Sequence, residues 1–274
     1  MLKKLMKYEF RALRRNILAM YIAMIGASVL AMSCLFLIRH TVRQAGTLVD
    51  SLVLIGSIPI FALMLIAIVV LAAIALLNLA IRYYKSCFTD EGYLTFVLPV
   101  DTDTLLVSKI FTAWIFTMAT IAVTFLSILV ALSPALFESG VLEAFRSLYN
   151  FFYGAIPDKD LVLSFILFLL SLIVSPITAI ALAYTAISLG CAVFKKNRVF
   201  GCILMYLAIS FGLSTIRSIL SVLFLPITIQ PILDDNSFWI MHFSSIASLI
   251  FNILLTIAGY FTTRHLVKNK LNLV

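Results

Sequence analysis

The chain has 274 residues, of which 63% are hydrophobic and only 12% are charged, and its mean hydropathy is +1.15. A soluble domain carries about 25% charged residues, so half that share cannot cover a water-facing surface. The composition therefore excludes a soluble enzyme, a nucleic-acid-binding domain and a disordered tail, although the net charge is +8. Apolar runs of roughly 20 residues are long enough to cross a bilayer as helices, and the alternation of apolar and polar residues that is typical of barrel strands does not occur. The sequence therefore predicts an all-α polytopic membrane protein with a single transmembrane domain over residues 1–274.

The segment before the first apolar run is amphipathic. Its apolar side chains fall on one helical face, opposite Lys and Arg, and they are Leu2, Leu5, Met6, Phe10 and Leu13. This pattern predicts an interfacial helix over residues 1–16 that lies on the cytoplasmic leaflet. A simple topology anchor fits the same residues, and the two interpretations are compatible.

Six apolar runs then predict six transmembrane helices, several of them longer than the roughly 20 residues that a bilayer needs. In chain order they are Ile17–Ile38, Leu52–Ile81, Thr104–Phe137, Leu161–Phe194, Val199–Ile216 and Phe238–Thr263. Fifteen Lys and Arg residues lie at the N-terminus, in the second and fourth loops and at the C-terminus, against four in the opposite loops. The positive-inside rule therefore predicts that both termini are cytoplasmic. The basic surplus fits topology and lipid headgroups, and we expect no nucleic-acid partner.

Two segments on the outer side carry specific expectations. Residues 138–160 form the longest outer loop, too short for a folded receptor domain. Eighteen residues separate Arg217 from the basic turn at residues 195–198, which joins the fourth and fifth spans. Eighteen residues make roughly 27 Å of helix, so this spacing predicts that Arg217 lies at the outer boundary of the membrane. We expect a re-entrant element over residues 217–237, in which Arg217 pairs with Asp234 or Asp235 as an outer gate. One long tilted helix, with Arg217 contacting headgroups, is the alternative.

Chemistry typical of enzymes is missing from the sequence. No carboxylate lies in the six predicted spans, and proton-coupled transporters usually carry intramembrane acids. None of the ten glycines is followed by Lys, so there is no P-loop. The three histidines lack metal-ligand spacing, and no nucleophile–base group presents itself. We therefore expect no catalytic residue, no metal site and no cofactor in this chain, and we interpret its four cysteines as packing residues.

Small and hydroxylated residues form stripes along several spans. They include Thr117, Thr120, Thr124 and Ser127 in the third, Ser164, Ser171, Ser175, Thr178 and Thr185 in the fourth, and Ser245, Ser248, Asn252 and Thr256 in the sixth. Such faces allow close helix approach and hydrogen bonds between helices. A structural role is the first interpretation, and the lining of a transport cavity is the second.

The second loop, residues 82–103, breaks the basic trend of its side. Its acids exceed its bases, and a cap at Thr89 or Asp90, followed by Gly92, predicts a short helix and a turn. An acidic, aromatic loop beside an anionic membrane surface stands away from it and suits the docking of a soluble partner. An ordinary solvated loop is the alternative.

This loop also carries a resemblance to a known family. The segment R-Y-Y-K-x-x-F-T-D-E-G-Y-L-T-F-x-L-P-V, followed by L-L-x-S-K, resembles the corresponding loop in permease subunits of bacterial ABC exporters of the ABC-2 type. The N-terminal K-Y-E-F-R is similar to their amphipathic helix. The resemblance implies a permease in the bacterial cytoplasmic membrane, without its own ATPase site, that exports an amphipathic peptide, antibiotic, drug or lipid.

The same resemblance implies partners and site residues. The partners would be a second permease, identical or homologous, and two ATP-binding cassette subunits that hold ATP and Mg. The expected docking residues for those subunits are Phe88, Asp90, Glu91, Tyr93 and Leu94. The second and fifth spans would flank a central cavity, with Ile60, Phe61, Met64, Tyr206, Ser210 and Leu213 as lining candidates. The rival functions are a secondary transporter and a non-transporting scaffold or intramembrane enzyme.

Overall fold

The computed structural model describes residues 2–44, 48–89, 92, 101–138, 158–194, 196–223 and 237–269. Six α-helices contain nearly all of them: α1 Leu2–Gln44, α2 Leu48–Phe88, α3 Thr102–Glu138, α4 Asp158–Val193, α5 Arg198–Leu223 and α6 Ser237–Asn269. Each of the six predicted spans lies within one helix, apart from Phe194, which follows the last residue of α4.

All six helices are long and apolar enough to cross a membrane. The shortest, α5, has 26 residues and the longest, α1, has 43. At 1.5 Å per residue, even α5 exceeds a hydrocarbon core of about 30 Å. The chain is therefore an all-α, multi-pass membrane protein.

The N-terminal amphipathic segment is part of the first membrane helix. It was expected as a separate helix on the membrane surface, but α1 runs without a break from Leu2 to Gln44. Leu13 on its apolar face is buried, in line with Ile17 and Met24 further along the same helix. Protein contacts therefore cover the apolar face at Leu13, and the location of residues 1–16 at the membrane surface stays a prediction.

The predicted loop segments are described only in part. Residues 217–223 of the expected re-entrant element continue α5, Ser237 begins α6, and the residues between them lie outside the described part of the chain. Of the outer loop 138–160, only Glu138 at the end of α3 and residues 158–160 at the beginning of α4 are described. Of the loop 82–103, the described residues are 82–89, 92 and 101–103. A re-entrant element thus stays a prediction for residues 224–236.

The chain divides into two compact units, described here separately. Unit 2 comprises residues 8–79 and 115–155. In it, Phe10 of α1 stacks on Phe116 of α3 at 4.6 Å between ring centroids, and Arg39 further along α1 donates to the Pro134 carbonyl at 2.9 Å. The two contacts occur in the same chain order, so α1 and α3 run in the same direction. A chain that crosses the membrane alternately in each direction must have its first and third helices parallel, as observed.

Unit 1 comprises residues 1–7, 80–114 and 156–274. Within it, α4 packs against α5 and α6. Thr178 of α4 donates to the Asn252 carbonyl of α6 at 3.1 Å, and Thr185 lies beside Gly259. The contacts again occur in the same chain order, so α4 and α6 run in the same direction. The ends of α2, α4 and α6 and the beginnings of α3 and α5 consequently lie at one end of this unit.

Candidate functional site

The helix ends in unit 1 enclose a buried cluster that contains residues from both ends of the loop motif. We call it the helix-end cluster. Its members include Tyr83, Ser86, Phe88, Leu106, Lys109, Tyr184, Ser188 and Arg198. These residues come from α2, α3, α4 and α5, so four helices meet where the predicted docking loop, residues 82–103, begins and ends.

Tyr83 lies at the centre of the helix-end cluster and is 2% exposed. Its ring stacks on Tyr184 of α4, with centroids 3.8 Å apart and planes at 8°. Its hydroxyl lies 3.0 Å from the Ser188 hydroxyl. Because Ser188 donates its own proton to the Tyr184 carbonyl, Tyr83 is the donor in this pair. The end of α2 is therefore joined to α4 by both a stacked ring pair and a hydrogen bond.

Lys109 of α3 is buried in the same cluster, with 5% exposure. Its ammonium donates to the Ser86 hydroxyl at 2.7 Å, and Ser86 in turn donates to the Tyr83 carbonyl at 3.2 Å. A buried cation needs such polar partners because its transfer out of water is costly. In the charge comparison Lys109 is an ordinary cytoplasmic charge, whereas in the structure its side chain connects α3 with α2.

A second polar contact joins the beginning of α3 to the end of α6. Arg264 holds Asp103 through two contacts of 2.6 Å, one from Nε to Oδ1 and one from a terminal nitrogen to Oδ2. Tyr260 donates to Asp103 Oδ1 at 3.1 Å. The paired side chains are 43% and 40% exposed, so solvent screens much of their attraction. Sequence analysis missed this pair, and its only signal is a charge at each of two helix ends.

The predicted docking residues fall into two groups. Phe88 is 9% exposed and lies with its ring near Tyr83 and Tyr84, at 6.1 and 6.4 Å. A side chain buried within its own chain cannot fill a partner's groove, so Phe88 belongs to the helix-end cluster. The other four, Asp90, Glu91, Tyr93 and Leu94, lie outside the described residues. Their docking role stays a prediction.

The chain turns sharply directly after α2. The Gly92 amide donates to the Thr89 carbonyl at 2.7 Å. A Cβ on Gly92 would lie 2.6 Å from the Cys87 carbonyl oxygen, so a side chain cannot be placed there without moving the backbone. α2 ends at Phe88, and the short helix expected from Thr89 or Asp90 to Gly92 lies largely outside the described residues, so it stays a prediction.

The cavity-lining candidates are at partly or fully exposed positions. Ile60 and Tyr206 are 48% and 51% exposed, Ser210 is exposed, and Phe61, Met64 and Leu213 are half-buried. The three on α2 belong to unit 2 and the three on α5 to unit 1. All six are available to a cargo or a second chain, and their lining role stays a prediction.

Arg217 has a partner that the sequence did not indicate. It donates to the Asn252 side-chain oxygen at 3.1 Å, and its guanidinium lies 5.5 Å from the Phe251 ring centroid. The same Asn252 residue accepts from Thr178 through its backbone carbonyl, and Thr178 and Thr256 hydroxyls are 2.9 Å apart. Arg217 is thereby joined to the middle of α6. Asp234 and Asp235, its expected gate partners, lie outside the described residues.

Within the described ranges, no group of three or more His, Cys, Asp or Glu side chains could hold a metal ion. Comparison of the chain with protein-family models, with curated proteins and with solved structures finds no match. The resemblance of the loop motif to ABC-2 permeases therefore stays a prediction.

Proposed function

We propose that this chain is the permease subunit of an ATP-driven exporter of the ABC-2 type, in the bacterial cytoplasmic membrane with both termini inside. Separate ATP-binding subunits supply the energy, and the cargo is an amphipathic peptide, antibiotic, drug or lipid. The observation that carries the proposal is the helix-end cluster, because the loop with the family-like motif starts and ends in it.

The helix-end cluster supports a coupling role on mechanical grounds. The loop leaves α2 beside the Tyr83–Tyr184 stack and enters α3 close to Lys109 and the Asp103–Arg264 pair. Close-packed interiors transmit displacements because they have little free volume. A partner that pushes on this loop would therefore displace the ends of several membrane helices, which an ordinary solvated loop would not do.

The exposure of the helices supports a second permease. Only 11% of the most apolar window is buried in α2 and in α5, against 22–28% in the other four helices. These are the two helices that the resemblance places beside the cavity and the partner permease. The aromatic and Met side chains at half-buried Phe61 and Met64 and at exposed Tyr206 suit varied apolar cargo, since such side chains adapt to different shapes.

Copurification tests the docking proposal. Tagged chain from native membranes should carry an ATP-binding cassette protein and vanadate-sensitive ATPase activity. Replacement of Asp90 and Glu91 with Lys should reduce the yield of that protein and uncouple transport from hydrolysis. The matched control reverses Asp158 and Asp160, two acids at the opposite end of the helices. If the Asp90 and Glu91 variant gave the same complex yield and transport as the control variant and the unsubstituted chain, the loop would have no part in the mechanism.

Thiol labelling tests the orientation. In a background without the native cysteines, Val42→Cys should react with an impermeant thiol reagent in intact cells, and Lys196→Cys only after permeabilisation. Both positions are exposed in the structure. Labelling of Lys196→Cys from outside would overturn the six-span orientation.

The outer gate has its own charge-reversal test. Arg217→Glu should impair transport, and the addition of Asp234→Arg with Asp235→Arg should partly restore it if these charges pair. Asn252→Leu removes the contact that the structure gives to Arg217. If Asn252→Leu reproduces the loss and the charge exchange restores nothing, Arg217 serves helix packing and the gate proposal is wrong.

A further inference from the structure

Two cysteine side chains meet where α4 and α5 form a hairpin. Cys191 lies in the last turn of α4 and Cys202 in the second turn of α5. Their Sγ atoms are 3.5 Å apart, and Cys202 Sγ also contacts the Ile187 carbonyl at 3.5 Å. Both side chains are partly exposed and both are free thiols.

Glycines bring the two backbones together at this point. A Cβ on Gly190 would lie 2.5 Å from the Cys202 Cα, and a Cβ on Gly201 would lie 2.6 Å from the Phe194 side chain. The two helices thus approach closely beside the cysteine pair. The sulfurs must approach by about 1.5 Å to reach an S–S bond of about 2.05 Å, and side-chain rotation can supply this.

From this geometry we infer that Cys191 and Cys202 form a redox-active dithiol site, which a small-molecule disulfide oxidises to an intrachain disulfide. One cysteine sulfur attacks the small disulfide, forms a mixed disulfide and displaces one small thiol. The second cysteine sulfur then attacks the mixed disulfide at the protein sulfur and displaces the second small thiol. The two cysteine protons leave with the two small thiols, so the protein loses two electrons and the oxidant gains them.

The disulfide would fix the angle and separation of α4 and α5 at their connected ends. It encloses the turn that contains Lys196 and Arg198 and holds α5, one of the two least buried helices, against α4. On the cytoplasmic side proposed above, a reducing environment keeps the pair as thiols. The oxidised form is then expected only when the thiol–disulfide balance of the cell shifts.

The other two cysteines serve as internal references. Cys87 is fully buried, and Cys34 lies on α1. A site defined by proximity must pair Cys191 with Cys202 and leave Cys34 and Cys87 reduced. General oxidation of accessible thiols would also consume Cys34, which is partly exposed like the two cysteines of the pair.

Thiol counting and peptide mapping on the full-length chain in detergent test the site. After incubation with oxidised glutathione, the number of alkylatable thiols in the denatured protein should fall from four to two, and mass spectrometry should find the Cys191–Cys202 peptide link. Cys34→Ser should lose the same two thiols. Cys191→Ser should form no link, and Cys202 should stay reduced or keep a glutathione adduct.

A trivalent arsenical provides a readout without oxidation. Phenylarsine oxide condenses with two neighbouring thiols and releases water, so the unsubstituted chain should bind one equivalent, and Cys191→Ser or Cys202→Ser should bind none tightly. The mapping uses the unsubstituted protein, so it stands even where a variant misfolds. The site would be overturned if four alkylatable thiols remained after incubation with oxidised glutathione. A disulfide link that involves Cys34 or Cys87 would also overturn it.

Discussion

Gly190 should be far less tolerant of a methyl group than Gly212, a glycine in open space on α5. In Gly190→Ala, the new Cβ would lie 2.5 Å from the Cys202 Cα and 2.6 Å from its amide nitrogen. Carbon atoms pack at about 3.5–4.0 Å, so α5 must move by roughly 1 Å. Because the clash is with backbone atoms, no side-chain rotation relieves it. Overpacking of this kind costs about 1–3 kcal/mol, and we expect the upper end of that range.

Gly212→Ala on α5 is the matched control. Among the described residues, no atom outside its own helix lies within 4 Å of a Cβ built on Gly212. Alanine there should stabilise the helix by about 0.5–1 kcal/mol. Thermal unfolding of the detergent-solubilised chain, followed by tryptophan fluorescence, should separate the two variants, and Cys202 should become more reactive to thiol reagents in Gly190→Ala. Equal unfolding temperatures and equal reactivity would refute the close backbone contact.

Two further predictions concern the polar contacts at the helix ends. Lys109→Met keeps the apolar stem but removes the donor to Ser86, and we expect a loss of about 1.5–3 kcal/mol in unfolding free energy, whereas exposed Lys268→Met should change it by less than about 0.5 kcal/mol. A Lys109→Met protein as stable as the native chain would contradict the buried hydrogen bond. Asp103→Asn should cost at most about 1 kcal/mol because the Asp103–Arg264 pair is half exposed, and the loss should shrink as salt is added. A cost that is unaffected by salt would show that the pair acts through packing instead.

The sequence predicted the helices well because their signal is local. An apolar run of sufficient length must cross the bilayer as a helix, since every backbone group needs a partner there. The ends were less predictable because polar residues extend a helix into water without changing its fold. The continuation of α1 back to Leu2 is an example, since amphipathicity fits both a surface helix and an extended membrane helix.

The hydroxyl stripes show which part of the packing the sequence can predict. Spacing placed Thr178 and Thr256 on helix faces suited to contacts between helices, and their hydroxyls do lie 2.9 Å apart. Thr120 likewise lies 2.9 Å from the Tyr21 hydroxyl in unit 2. The structural interpretation of these stripes is confirmed at these positions. The partner of each residue could not be predicted, because it depends on which helices are neighbours and on their rotation.

Lys109 illustrates why charge counting predicts topology but not function. Each basic residue counts equally in the positive-inside comparison, and without Lys109 the comparison is still fourteen against four. The rule therefore works without any information about where a side chain points. Lys109 is buried with a partner on another helix, since its Nζ lies 2.7 Å from the Ser86 hydroxyl oxygen. The periodicity of the sequence cannot reveal such a contact between two helices. A charge that topology does not need but that is buried with a partner is better explained by a role in holding together the end of α2 and the beginning of α3.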